Sequence, residues 1–364
     1  MALERLRAFP HAQVHFATRV TSVKQFGDRV EIEVADSTGA RTISGSYLIG
    51  ADGGRSTVRK AMEIEFEGYT HPERFLILTT TFDIGTMYPG CTRNYISDPD
   101  DWFSLFKVSG DERGPLWRIL SSTTPEQTDA ELMNSEATER RLQRFLPKAQ
   151  PYDIVHRNLY NVHQRVAASF RKGRVFLAGD AAHVNNPLGG LGLNFGIHDA
   201  VELTGLLGQV IRREAGEDIL DRYDRHRRPL NIEFVQQQTI ANKKRMDEKD
   251  PAARMKDFEQ LRRTMDNPEA HRAYVRRASL LESVRRETAA TVETATIHLS
   301  RHWFARTIRL KLARTFCWVS AKCASRLAKL GRSAARQSRL KSPAPAVFAS
   351  NGPERQSRRI CVRF

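Results

Sequence analysis

Residues 177–196, LAGDAAHVNNPLGGLGLNFG, run from an apolar strand onto an acid and then place five glycines and one proline ahead of a helix. Few folds need that combination. An Asp at the carboxyl end of a strand in an open α/β sheet accepts hydrogen bonds from sugar hydroxyls, and bare glycine backbone lets N–H groups approach a flat or anionic group. The helix beginning near Gly192 points its positive end at the same place, which suits a phosphate or an electron-rich ring. A P-loop is excluded, because no Lys-Ser or Lys-Thr follows the glycines. The competing explanation is a strand-to-helix turn that uses its glycines for tight packing alone.

The strand-then-acid pattern occurs twice. SYLIGAD, ending at Asp52, and GRVFLAGD, ending at Asp180, each carry an unbroken apolar core of the kind found in strands covered on both faces, so the two are expected in one sheet. Upstream, Val30, Ile32 and Val34 alternate with Glu31 and Glu33 between the turn clusters QFGD and DSTG, which predicts a β-meander with one wet face. Within residues 75–123, RFLILTTTFDI, WFSLFKV and LWRILSSTT predict an antiparallel sheet. Its aromatic residues Trp102, Phe103, Phe106 and Trp117 are expected in the core more than around a ligand. Residues 135–146 read as a short charged helix. Beyond Gly192, a period near 3.6 puts Ile197, Val201, Leu206, Val210 and Ile211 on one side of a helix over 193–213, with further helices to about residue 290.

The chain has 364 residues, 40% of them hydrophobic, enough for a packed core, and its formal net charge is +16. That charge is local. Residues 300–364 hold 16 Lys and Arg against one acid, Glu354, which leaves 42 basic and 41 acidic residues in positions 1–299 and a body at +1. A nucleic-acid role for the globular part is therefore not indicated. The four cysteines, Cys91, Cys317, Cys323 and Cys361, lack CxxC spacing and predict free thiols, with neither a disulfide framework nor a metal site. With no signal peptide and no apolar run of roughly 20 residues, the expected location is cytoplasmic.

The two acid-ended strands carry a resemblance. GDAAHVNNPLGGLGLN fits a GD motif followed by P-x-x-G-x-G-x-N, at Gly179, Asp180, Pro187, Gly190, Gly192 and Asn194. GADGGRSTVR fits a DG motif at Asp52, Gly53, Ser56 and Arg59. In this order, with a β-rich segment between, the pair resembles the flavin-dependent aromatic hydroxylases of the para-hydroxybenzoate hydroxylase type. The likeness covers about residues 1–290 and includes EFEGYTHPERFLILTTTFD and LYNVHQRVAASFRKGRV.

The resemblance implies an α/β fold: an incomplete Rossmann-like FAD-binding domain with an inserted antiparallel β-sheet substrate domain, C-terminal helices and a basic tail. The implied divisions are 1–64 with the DG motif, 65–165 for substrate, 166–230 with the GD motif, 231–290 helical and 291–364 as tail. It further implies that Asp180 bonds the ribitol chain of FAD. Backbone at Gly190, Leu191, Gly192, Leu193 and Asn194 would face the flavin and the pyrophosphate side, and Pro187 would lie against the ring near substrate. Asp52, Gly53 and Arg59 would serve cofactor phosphate contact and NAD(P)H use, with Arg59 the cation. His183 is expected to be structural, and Arg165 and His163 are weaker candidates for a nicotinamide phosphate. The implied activity is hydroxylation of a small aromatic substrate with NAD(P)H and oxygen, in which the flavin carries the chemistry and no catalytic side chain is assigned.

Two departures accompany the likeness. The family opens with a strand, a G-x-G-x-x-G turn and a helix for the ADP half of FAD, and nothing between Met1 and Asp52 supplies them. Met1 would then lie about a hundred residues into the family pattern, and the chain is expected to be a fragment with a weakened hold on FAD. The tail places Phe304, Ile308, Leu312, Phe316, Val319, Cys323, Leu327 and Leu330 at helical spacing among basic residues. That pattern fits either a basic amphipathic helix for nucleic acid or an anionic membrane, or a fortuitous extension. A flavoprotein reductase or halogenase of the same superfamily, and a non-catalytic remnant with an anion-binding tail, remain the alternative functions.

Overall fold

The computed structural model describes residues 2–88, 92–98, 101–286 and 360–363. It divides into one unit of Met1–Ser283 with Phe348–Phe364 and a second of Val284–Val347. The elements below belong to the first. The amphipathic pattern of the tail, Cys91, Cys317 and Cys323 lie outside the described residues.

After a short helix α1 (Ala2–Leu6), the meander forms as its alternation requires: β1 (Arg19–Gln25), β2 (Val30–Asp36) and β3 (Gly39–Gly45) pair antiparallel. Val30 and Val34 are buried on one face of β2. At the β2–β3 turn the Asp36 carboxylate accepts from the Thr38 N–H and hydroxyl at 2.8 and 2.6 Å, and Gly39 takes φ +119°, which a side chain would resist.

The acid-ended strands lie side by side. β4 (Leu48–Gly50) runs parallel to the later β11 (Val175–Leu177), with Phe176 opposite Ile49 and Leu177 opposite Gly50. All of β11 is buried, but Ile49 is 40% exposed, so β4 is covered on one face where the sequence suggested two. The covered face is tight: a Cβ on Gly50 would stand 2.8 Å from that of Val58 on helix α2 (Thr57–Ala61).

The chain then lays down β5 (Phe66–Thr80), β6 (Arg93–Ser97), β7 (Trp102–Asp111), β8 (Gly114–Ser122), α3 (Asp129–Met133), α4 (Ser135–Phe145), β9 (Ile154–Ala167), β10 (Arg171–Lys172) and, after β11, β12 (His183–Val184). β10 pairs with β11 in the sheet of β4, and the other strands build with β13 (Ile360–Arg363) a seven-stranded sheet in the order β12-β9-β5-β8-β7-β6-β13, antiparallel at every pairing. Alternation along β5 sorts two cores. Leu76 and Leu78 face Trp117, Phe103 and the apolar stripe Leu142 and Phe145 of α4, while Phe75 turns to the other face with Trp102, Val162 and Leu188. Trp102, Phe103 and Trp117 are thus core residues, as expected, with Phe106 packed at the edge.

Helix α5 (Leu191–Ile211) begins and ends two residues before the expected 193–213. Its inner face is also different. Leu191, Phe195, Asp199, Leu203, Leu206 and Leu207 are buried, whereas Ile197, Val201 and Ile211 are more than half exposed. α5 is apolar nearly all round, so hydrophobic period alone picks no unique face, and contact with β11 and the GD turn decides. Then come α6 (Asp221–Asn231), one π-helical turn (Ile232–Gln236), α7 (Gln237–Asp247), α8 (Pro251–Asp266) and α9 (Pro268–Ala278). Among the described residues no helix is long and apolar enough to cross a membrane.

Candidate functional site

Because β4 and β11 are parallel neighbours, Asp52 and Asp180 leave the same end of one sheet. Their carboxylates do different work. Asp52 accepts from the Ser56 hydroxyl at 2.5 Å and from the N–H groups of Thr57 and Val58 at 2.7 and 3.1 Å, so it is consumed in capping α2. Asp180 is exposed and has no hydrogen-bond or ion-pair partner among the described residues. It is the acid left open to a ligand.

Arg59 is buried. Its guanidinium donates to the carbonyl oxygens of Ala181 and Gly54, each at 2.7 Å, and lies 3.7 Å over the Phe66 ring. Burial lowers its pKa, with Asp52 opposing. These contacts make Arg59 a tie between the DG and GD motifs, with two of its donors taken by backbone carbonyls. Arg165 donates to the Phe66 carbonyl, and His163 Nδ1 is 2.9 Å from the Thr70 hydroxyl, on the same strand pair.

The GD turn is clamped from beneath. Gly179 has φ +59°, and its N–H donates to Asp199 Oδ2 at 3.1 Å. The buried Asp199 carboxylate also accepts from His183 Nε2 and Arg227 Nε, both at 2.8 Å. Burial pushes Asp199 up, but the His183 bond and Arg227 outweigh it and hold the carboxyl below its ordinary value. His183, buried between Phe170 and Phe195, is therefore structural, as expected.

Past Pro187 the chain enters α5 through Gly189 (φ +113°) and Gly190 (φ +67°). Gly190 is the N-cap, with no side-chain cap, so the first N–H groups of a 21-residue helix are left for something outside the chain. Gly189 has a second constraint, since a Cβ there would stand 2.9 Å from Asn242 Nδ2. Leu193, 76% exposed, and exposed Asn194, whose amide donates to the Gly190 carbonyl at 2.8 Å, stand in this first turn. The open Asp180 carboxylate, the uncapped helix start and the glycine backbone fit a cofactor with hydroxyls and a flat anionic ring system.

Buried polar groups fix residues 184–190 from behind. Gln164 Nε2 donates to Gln236 Oε1 at 2.6 Å, its Oε1 accepts from the Asn186 backbone N–H at 3.1 Å, and Asn242 Nδ2 donates to the Leu188 carbonyl at 3.0 Å. Gln236 comes from the π-helical turn, which rotates it toward Val184, whose carbonyl it meets at 3.2 Å. Sequence reasoning missed these residues and Asp199. The one available signal was an acid on the otherwise apolar stripe 191-195-199-203 of α5.

On the side of the loop facing β6, α7 and α9 is a cavity of about 370 Å³, lined by Leu188, Gly189 and Leu191 together with Tyr95, Arg245 and Tyr274. The Gly189 N–H donates to the Tyr95 hydroxyl oxygen at 3.3 Å. A larger hollow of about 640 Å³ lies beside α4, but it is mixed in charge and touches none of the loop 184–190. The smaller one adjoins the uncapped helix start.

A parallel strand pair with acids at its carboxyl ends, a glycine entry to an uncapped helix and an adjoining cavity define an α/β cofactor-binding protein. The FAD binding domain family model matches residues 1–238, and the chain belongs to that family. It is 38% identical over 257 residues to para-nitrophenol 4-monooxygenase of Pseudomonas sp. (strain WBC-3), covering 70% of this chain and 62% of that one. It is 33% identical over 261 residues to 6-hydroxy-3-succinoylpyridine 3-monooxygenase HspB of Pseudomonas putida (strain DSM 28022 / S16), covering 70% of this chain and 64% of that one. The chain thus spans less than two thirds of either relative. The crystal structure of p-nitrophenol 4-monooxygenase PnpA from Pseudomonas putida DLL-E4 superposes with a TM-score of 0.71 at 33% identity, covering 77% of this chain and 70% of that one.

Proposed function

We propose that this chain binds FAD at the α5 start and serves an FAD-dependent monooxygenase that hydroxylates a small aromatic substrate with NAD(P)H and oxygen. One observation carries the reading: Leu188, Gly189 and the first residue of the uncapped helix, Leu191, line the 370 Å³ cavity, and the same GD motif carries the open Asp180. When bound, FAD supplies the electron transfer from NAD(P)H and the activation of oxygen.

The chain's own residues bind and orient. Asp180 accepts from ribitol hydroxyls, the N–H groups of Leu191 to Asn194 stabilise negative charge on the ring side, and Pro187 limits where the ring can lie. Arg59 and Asp199 fix the GD turn from two directions, so that Asp180 is held before the cofactor arrives. Leu188 and Leu191 form an apolar wall that excludes water on the cavity side.

Titration of FAD fluorescence quenching tests this. Asp180→Ala removes a charge-assisted hydrogen bond worth about 1.5–3 kcal/mol and is expected to weaken FAD roughly tenfold or more. Unchanged affinity would remove Asp180 from the site. NAD(P)H oxidation stimulated by an added phenol, and absent without it, would support the hydroxylase over a reductase.

A further inference from the structure

The buried amides behind the loop form one chain with a direction. The Leu188 N–H donates to Asn186 Oδ1 at 3.2 Å, Asn186 Nδ2 to Gln164 Oε1 at 3.1 Å, Gln164 Nε2 to Gln236 Oε1 at 2.6 Å, and Gln236 Nε2 to Asn231 Oδ1 at 3.1 Å. All four amide side chains are buried. Each turns its oxygen toward the loop and its nitrogen away, so reversing one would set nitrogen against nitrogen on one side and oxygen against oxygen on the other. The direction is therefore all or none, and successive links polarise one another.

The far end shows what the direction achieves. Asn231 Nδ2 is buried without an acceptor, while the Leu188 and Asn186 N–H groups at the loop end are both satisfied, the second by Gln164 Oε1 at 3.1 Å. An orphaned donor is costly, and the chain leaves it at the end of α6 and out of the loop. The last link depends on the π-helical turn. Residues five positions apart stand about 140° apart around an ordinary α-helix, yet Asn231 and Gln236 meet across the turn Ile232–Gln236, whose i→i+5 bonding stacks them. The same turn brings Gln236 Nε2 to the Val184 carbonyl at 3.2 Å.

We propose that Gln236 is a positioning residue for the cofactor, acting through Gln164 and Asn186 to fix Pro187. Asn186 and Leu188 flank that proline, whose φ is set by its own ring, so anchoring both neighbours in one amide chain leaves it a single place to stand. Gln236 itself makes no hydrogen bond to residues 185–194 among the described residues. None of the four amides titrates, so the positioning is the same at any pH at which the protein folds. The inference rests on the proposed binding of FAD at the α5 start.

Amide hydrogen exchange of the full chain, followed by FAD titration, tests it. Gln236→Met keeps the length of the side chain and removes both ends of its amide. It is expected to speed exchange at Asn186 and Leu188 about tenfold or more, while Gly189, held by Tyr95, and β11 exchange as before. It is also expected to weaken FAD about three- to tenfold and to alter the visible circular dichroism of the bound flavin. Leu142→Ala, a core truncation on α4, lowers stability and is expected to move neither readout selectively. If Gln236→Met does not fold, Gln164→Met breaks the chain from β9 and must give the same pattern. Unchanged exchange at Leu188, or equal acceleration everywhere, overturns the amide chain. Faster exchange with FAD affinity and dichroism unaltered overturns the positioning role, and the cofactor site still stands if Asp180→Ala weakens FAD. If Asp180→Ala and the amide variant both leave FAD binding unchanged, site and positioning role fall together.

Discussion

Asp199 and Gly179 are joined across twenty residues by a 3.1 Å hydrogen bond from the Gly179 N–H to Oδ2, and the same carboxylate neutralises Arg227 and orients His183. Helix α5 thereby grips the turn that carries Asp180. Replacing Asp199 by Ala removes the 2.8 Å acceptor of a fully buried guanidinium, which keeps Glu202 at 3.7 Å, and strands a turn N–H, and is expected to destabilise the fold by about 3 kcal/mol. Urea denaturation measures it, and a loss under about 1 kcal/mol would contradict this account of the clamp.

His198, one residue before the clamp, gives the fold a pH dependence of known sign. Burial, reinforced by Arg227 and opposed by Asp199, lowers its pKa from 6.5 to about 4. Between those values the unfolded chain binds the proton and the folded chain does not, so this contribution to stability is complete above pH 6.5 and is lost as pH falls toward 4. The thermal midpoint of His198→Gln should fall less over that window than that of the unaltered protein. Parallel curves would show that His198 does not drive the slope.

Two glycines on α5 should respond oppositely to the same substitution. A Cβ on Gly196 would stand 3.0 Å from the Gly179 Cα, so Gly196→Ala must push the helix off the turn; Gly205 has nothing within 4 Å. Gly205→Ala is expected to stabilise by up to about 1 kcal/mol through helix propensity, and Gly196→Ala to destabilise by about 1–3 kcal/mol through overpacking. Chemical denaturation of the pair decides it, since equal effects would mean that the close approach is absent.

Tyr95→Phe removes the acceptor for the Gly189 N–H while keeping the ring. The expected cost is about 1 kcal/mol, concentrated in the loop, so amide exchange at Gly189 should accelerate while exchange in β11 stays the same. Uniform acceleration would place the effect elsewhere.

The sequence was most legible where one residue type answers one backbone demand. Acids ending two apolar strands located β4 and β11, and the glycines at 189 and 190, both at positive φ, marked the entry to α5. Alternation found β2, and β-rich runs found β7, β8 and the second half of β5. Both missed β9 and the first half of β5, because HRNLYNVHQR and EGYTHPE carry polar side chains on both faces and form strands through their mutual pairing. The inner face of α5 was hidden for the reverse reason, an excess of apolar residues. The clamp, the Gln164 network and the cavity lining join residues 16 to 72 positions apart, or separate helices and strands, which no local spacing encodes.

The β5–β9 pairing reaches from Phe66 opposite Ala167 to Thr80 opposite Ile154, a ribbon of about 50 Å at 3.3 Å per residue. At one end Ala167 donates its N–H to the Ala182 carbonyl of the GD turn at 2.7 Å, and at the other the strands carry the core beneath α4. The β-rich half is consequently not a detachable module. A cut or graft near residue 165 severs this ladder, so exchanging the sheet between relatives requires carrying both strands whole, along with the turn on which the ribbon ends.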